Sequence, residues 1–140
     1  MIVGLGLDLV AIERIARLVD QHGSRFVSKV YTAREEEACH RQNHSAEPWA
    51  ARFAAKEAVM KALGTGWRQG VKFKEIEVLP DPAGKPEIIL HGRTAEVAAA
   101  RGCTRAFVSL THEAGLAAAV VVLEGDGPGA EPHWPLNLPA

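Results

Sequence analysis

The run from Pro48 to Leu63 constrains this chain more than any other segment. It is Ala-rich, its proline falls in what would be the first turn, and Gly64 follows as a C-terminal stop. It predicts the longest helix of the molecule, from Pro48 or Trp49 to Leu63. A chain of 140 residues has room for one domain around such a helix. A domain of that length buries a core without disulfides. Hydrophobic residues are 47% of the total and the formal net charge is -1, which excludes disorder over the whole length.

The other elements follow from pattern. Residues 2–10 are apolar apart from Asp8 and interposed glycines, which predicts a central strand. Ile12, Ile15, Leu18 and Val19 fall at helical spacing until Gly23 stops the run, and Phe26, Val27, Val30 and Tyr31 suggest a second short helix or turn. Thr32 with Glu35 three positions later is a capping box for a helix to about Arg41. Strands are expected at Ile76–Leu79, Glu87–Leu90, Ala106–Thr111 and Leu116–Leu123, with a helix at about Thr94–Ala100 between the second and third. Asp81 to Pro86 and His112 to Gly115 read as turns. The fold class is α+β, a small antiparallel sheet packed against helices that include one long central helix. Residues 125–140 hold three glycines and four prolines and read as a disordered tail, in which Trp134, Leu136 and Leu138 are out of character.

Charge and composition exclude several function classes. Sixteen Lys and Arg against 17 Asp and Glu argue against a strongly basic nucleic-acid binder. The longest apolar stretch, Gly115 to Leu123, is about half of what a bilayer span needs. Cys39 and Cys103 lie far apart with no CxxC pairing, which fits a reducing compartment. With no basic segment ahead of the first apolar run, a cytoplasmic protein with no membrane partner is expected.

Three features could carry chemistry. Asp8 interrupts an apolar strand, where burying it unpaired would be costly. It either caps the following helix or meets a cation, and pattern alone favours the cap. Glu57 and Lys61 share one face of the long helix, with Phe53 one turn earlier. A surface ion pair is the plain reading of that spacing, although the stripe is partly apolar. Gly64-Thr65-Gly66 follows a helix instead of leading a strand into one, so it is neither a P-loop nor a dinucleotide fingerprint. Cys39, His40 and His44 form no complete zinc pattern. Two acids on different elements with a Lys and an Arg nearby suggest metal-assisted phosphate chemistry, since Mg²⁺ is commonly held by one or two carboxylates plus substrate phosphates.

The chain resembles the holo-(acyl-carrier-protein) synthases, the small trimeric branch of the phosphopantetheinyl transferases. The matching strings are Gly4-Leu5-Gly6-Leu7-Asp8-Leu9-Val10, Ala51 through Gly66 with its Phe53-Ala54-Ala55-Lys56-Glu57-Ala58-Val59-Met60-Lys61 core, Gly84-Lys85-Pro86, and Val108-Ser109-Leu110-Thr111-His112. They span residues 1–124, the expected transferase domain, and leave 125–140 as an addition.

The resemblance implies Mg²⁺-dependent transfer of 4′-phosphopantetheine from coenzyme A to a serine of an apo acyl carrier protein, with adenosine 3′,5′-bisphosphate as the other product. It implies Asp8 and Glu57 as metal ligands and Lys61 as a catalytic cation. Either Glu57 or Asp8 takes the serine proton. Gly64, Thr65 and Gly66 would lie along the nucleotide, Lys85 and Pro86 would border its adenine end, and Arg52 and His112 would reach the 3′-phosphate. Arg14, Arg17 and Arg25 would meet the acidic carrier. A homotrimer with sites between subunits is implied as well. A Mg²⁺-dependent phosphohydrolase and a non-catalytic trimeric binding module are the alternatives.

Overall fold

The computed structural model describes residues 1–42 and 45–126. The chain forms β1 (Ile2–Ala11), α1 (Ile12–Val30), α2 (Ala33–His40), α3 (Glu47–Leu63), a short 3₁₀ turn (Phe73–Glu75), β2 (Ile76–Pro80), β3 (Pro86–Leu90), α4 (Gly92–Ala100), β4 (Arg105–Glu113) and β5 (Leu116–Glu124). The α+β class holds, but the strands form two antiparallel sheets, one in the order β1-β5-β4 and one a β2-β3 hairpin.

The long helix is α3, and it ends as its glycine demands. Gly64 takes the left-handed conformation at φ 74°, and the Thr65 N–H returns to the Met60 carbonyl at 3.2 Å. Ala50, Ala54, Ala55 and Ala58 are buried on α3, and β1 approaches the helix backbone closely at Ala58 and Ala62. Gly6 and Gly4 allow that approach. A Cβ on Gly6 would lie 1.8 Å from the Ala58 carbonyl oxygen, and one on Gly4 would lie 2.3 Å from that of Ala62. Glycine in β1 is therefore a packing requirement.

β1 is an edge strand, which corrects the expectation of a central one. β5 lies in the middle, pairing with β1 through Leu7↔Val120 and with β4 through Ser109↔Val120. β1 reads apolar on both faces for two separate reasons. Gly4, Gly6, Asp8 and Val10 face α3, while Leu5, Leu7 and Leu9 stand on the opposite face, 65%, 63% and 62% exposed. Phe107, Leu116 and Val120 continue that exposed apolar face across β4 and β5.

Gly23 breaks the helical path as expected, at φ 45° and ψ -126°, so α1 consists of two helical stretches joined at a kink. The capping box of α2 forms as expected: the Glu35 N–H donates to Thr32 Oγ1 at 3.2 Å, and the Thr32 N–H donates to Glu35 Oε1 at 3.0 Å. The last hairpin is tighter than expected. His112 and Glu113 still belong to β4, and only Ala114 and Gly115, at φ 53° and 79°, make the turn.

The start of the expected tail is tied down. The Gly125 N–H donates to the Met1 carbonyl at 2.8 Å, and the Met1 amine donates to the Gly125 carbonyl at the same distance. Trp134, Leu136 and Leu138 lie outside the described residues. Among the described residues, no helix is long and apolar enough to cross a membrane.

Candidate functional site

Asp8 does not cap α1. The N-cap is Ala11, which offers no side-chain bond, and Asp8 stays inside β1, buried against α3. Strand alternation forces this placement, because Gly6, Asp8 and Val10 share the face that α3 covers. The cation reading of Asp8 is the one realised. Lys61 Nζ donates to Asp8 Oδ1 at 3.1 Å and to the Leu7 carbonyl at 2.9 Å.

Glu57 lies one helical turn before Lys61 and is half-buried. Its carboxyl is held above the ordinary carboxylate range, first by burial and then by the Asp8 charge, while Arg14 and Lys61 pull it back down. Asp8, Glu57, Lys61 and Arg14 therefore form one electrostatic group drawn from β1, α3 and α1. Arg14 is exposed, and its guanidinium lies 5.8 Å from the centre of the Phe53 ring. Arg17 and Arg25 are exposed further along α1.

A second group gathers at the other end of α3. A cavity of about 270 Å³ is lined by Arg52, Glu47, Gly84, Pro86, Leu110 and His112, among others. Arg52 is buried and held from both sides, donating from Nε to the Val78 carbonyl at 3.0 Å and from Nη1 to the Pro48 carbonyl at 3.3 Å. His112 Nε2 lies 3.5 Å from Glu47 Oε2. Lys85 sits at the exposed tip of the β2–β3 turn between two cavity residues and is not itself among those lining it.

Asp8, Glu57 and Lys61 are not among the residues lining this cavity. Gly64 follows Arg52 by 12 positions in the sequence, which is about 18 Å along a helix axis. Asp8, Glu57 and Lys61 come together, as do Arg52, Pro86 and His112. The Gly64-Thr65-Gly66 loop sits beyond the far end of α3, with Thr65 buried and its hydroxyl donating to the Gly66 carbonyl at 2.9 Å.

The Asp8–Glu57 pair suits Mg²⁺. Two carboxylates of one cluster meet the cation's usual protein share, and substrate phosphates supply the rest. A cation there would also relieve the repulsion that lifts Glu57. No group of three or more His, Cys, Asp or Glu that could hold a metal occurs among the described residues. Cys39 is packed away, its thiol pushed up to about 11 mainly by burial, and the His40 ring rests 5.3 Å from that of Trp49. His44 lies outside the described residues.

Sequence reading passed over Glu47 and the buried pair Lys56–Glu35. Lys56 Nζ lies 2.7 Å from Glu35 Oε1, and both side chains are fully buried. Burial drags the Lys56 ammonium below its usual range, and the Glu35 charge opposes that. A lysine facing away from Glu57 inside an Ala-rich stripe was the available signal.

The family model described as the 4′-phosphopantetheinyl transferase superfamily matches residues 4–121. A holo-(acyl-carrier-protein) synthase of Geotalea daltonii is 45% identical over 124 residues, covering 89% of this chain and 99% of its own. The crystal structure of the Neisseria meningitidis holo-(acyl-carrier-protein) synthase superposes with a TM-score of 0.81 at 35% identity, covering 89% of this chain and 99% of that one. The Helicobacter pylori enzyme, solved in complex with coenzyme A, gives a TM-score of 0.76 at 30% identity, covering 86% and 99%.

Proposed function

The chain belongs to the 4′-phosphopantetheinyl transferase superfamily, as an enzyme of the holo-(acyl-carrier-protein) synthase type, and on that premise we propose the reaction its residues perform. A serine hydroxyl of an apo acyl carrier protein attacks the phosphorus of coenzyme A that bears pantetheine. The serine O–P bond forms, and the P–O bond to the nucleotide breaks. The products are holo carrier protein and adenosine 3′,5′-bisphosphate. The observation that carries this reading is Asp8, buried in β1 with Lys61 at 3.1 Å and close enough to Glu57 to raise its carboxyl.

Asp8 and Glu57 would hold Mg²⁺, which when bound supplies charge stabilisation at the pyrophosphate. Glu57 or Asp8 accepts the serine proton, Glu57 being half-buried and Asp8 engaged by Lys61. Lys61 neutralises charge on the departing phosphate and can return a proton to it. The cavity between Arg52 and His112 takes the nucleotide end, with Arg52 facing the 3′-phosphate and Pro86 against the base. Arg14, exposed and within electrostatic reach of Glu57, suits an acidic carrier helix that must deliver its serine to that point.

The site is completed between neighbouring copies in this reading, since the acid group does not line the nucleotide cavity of its own chain. The exposed face of Leu5, Leu7, Leu9, Phe107 and Val120 is a contiguous apolar surface that a lone domain rarely leaves wet. A homotrimer would cover this face, and its exposure on the single chain supports that assembly. Cys39 and Cys103, both buried and free, suit a cytoplasmic setting.

The deciding experiment is intact mass of an apo carrier protein after incubation with this enzyme, Mg²⁺ and coenzyme A. A gain of one phosphopantetheine group is expected. Consumption of coenzyme A without carrier would instead mark a phosphohydrolase, and no mass gain with tight coenzyme A binding would mark a binding module.

A further inference from the structure

Lys56 is the one fully buried lysine among the described residues, and the reaction above does not use it. Its ammonium donates to Glu35 Oε1 at 2.7 Å, to the Phe73 carbonyl at 2.9 Å and to the Ile76 carbonyl. Three donors fill three acceptors, so the charge is fully satisfied. The bonds join α3 to α2, to the 3₁₀ turn and to β2.

The acceptors form a pattern. β2 pairs with β3 on one edge, and among the described residues no strand covers the other. Side chains complete that second edge. The Ile76 carbonyl accepts from Lys56, the Val78 N–H donates to Glu35 Oε2 at 3.0 Å, and the Val78 carbonyl accepts from Arg52 Nε at 3.0 Å. Arg52 and Lys56 are four residues apart on α3 and so share a face. Together with Glu35 they stand in for a missing strand.

We propose that Lys56, paired with Glu35, is a positioning residue that sets α3 against β2 and thereby aims Arg52 into the nucleotide cavity. This rests on the reading above that Arg52 faces the 3′-phosphate. Arg52 is held by the Val78 carbonyl, and the height of Val78 along α3 is set two residues away by the Lys56 bond to Ile76 and by Glu35 on its own N–H. If that clamp loosens, the guanidinium no longer meets the phosphate squarely. A misplacement near 1 Å can cost about a hundredfold in rate.

The test is kcat/KM for coenzyme A and for 3′-dephospho-coenzyme A, below the melting temperature of each protein. The proteins are wild type, Lys56→Met/Glu35→Gln, and Glu77→Gln. The double substitution avoids leaving one buried charge unpaired. Glu77 is the control, a buried carboxylate on the same strand bound instead to Arg34, Thr32 and His91. Wild type should prefer coenzyme A. Equal use of both donors by wild type would overturn the 3′-phosphate reading, and this inference with it.

Lys56→Met/Glu35→Gln should narrow the preference about tenfold, through KM for coenzyme A, with carrier KM within about twofold. Glu77→Gln should keep the preference while melting earlier. A full preference in the double variant, or equal narrowing by Glu77→Gln, overturns the positioning role. Should the double variant fail to fold, Glu35→Asp retains the charge on a shorter arm. It should narrow the preference a few-fold, and no change there would overturn the proposal equally.

Discussion

Lys61 reaches from α3 across to β1 and sets its ammonium 3.1 Å from the Asp8 carboxylate, 53 residues away in sequence. The lysine side chain is 55% exposed and the aspartate is buried, so the pair sits at the mouth of the cluster. A pair so open adds little to stability. Its arrangement suits a phosphate that replaces water there.

Asp8→Asn and Glu57→Gln should each lower transfer by on the order of a thousandfold while the protein still folds, because a lost metal-ligand charge removes several kcal/mol of transition-state stabilisation. Lys61→Met should lower turnover strongly yet shift the melting temperature by only a few degrees. Carrier loading by mass and thermal melts on the same samples decide. Near-normal turnover of Asp8→Asn at moderate Mg²⁺ would remove the metal assignment.

Complementation addresses the shared site. Asp8→Asn and Arg52→Ala should each be nearly inactive alone, and co-refolded mixtures should regain activity, since some interfaces would combine an intact acid group with an intact cavity. Leu7→Glu, which places a charge on the exposed apolar sheet face that a trimer would cover, should yield smaller species by light scattering and lose turnover in parallel. A fully active monomer would disprove a site built between copies.

Arg14→Glu should raise the carrier KM strongly and leave the coenzyme A KM nearly unchanged. Wild-type turnover at low carrier should fall with added salt. A defect confined to coenzyme A would place Arg14 with the nucleotide instead.

Glu77 predicts a pH effect on stability. Burial alone would raise its carboxyl, but hydrogen bonds from Thr32 and His91 and the nearby Arg34 charge outweigh burial and hold it below the ordinary range. The folded state therefore binds this proton less readily than the unfolded chain. The stabilisation is present above the unfolded value near 4.3 and fades as pH falls through the depressed one. Melting temperatures of wild type and Glu77→Gln should converge as pH drops below about 5. Curves that run parallel down to acid would show that Glu77 is not held ionised.

Removing residues 127–140 should leave the melting temperature and activity essentially unchanged, since seven glycines and prolines in the last 16 residues oppose core packing. Cutting at 125 instead should destabilise, because Gly125 exchanges two hydrogen bonds with Met1 and Asp126 accepts from Thr104 Oγ1 at 3.3 Å.

Sequence by itself determined the elements whose signals are local. The Thr32–Glu35 box, the Gly64 stop and the Ala-rich run each act within a few residues, so propensity and capping were enough to place α2 and α3. The motif strings likewise single out Asp8, Glu57 and Lys61, which the fold brings into one electrostatic group. Only tertiary structure decided what depends on partners far along the chain. Asp8 chose Lys61 over a helix cap because alternation in β1 aims it at α3. β1 became an edge strand because β5 took the centre of the sheet, and its leucines faced outward. Lys56 is buried against the edge of β2 that no strand covers among the described residues, where side chains supply the donors and the acceptor. Desolvation, pairing order and edge satisfaction are set by the whole fold, and no window of neighbouring residues contains them.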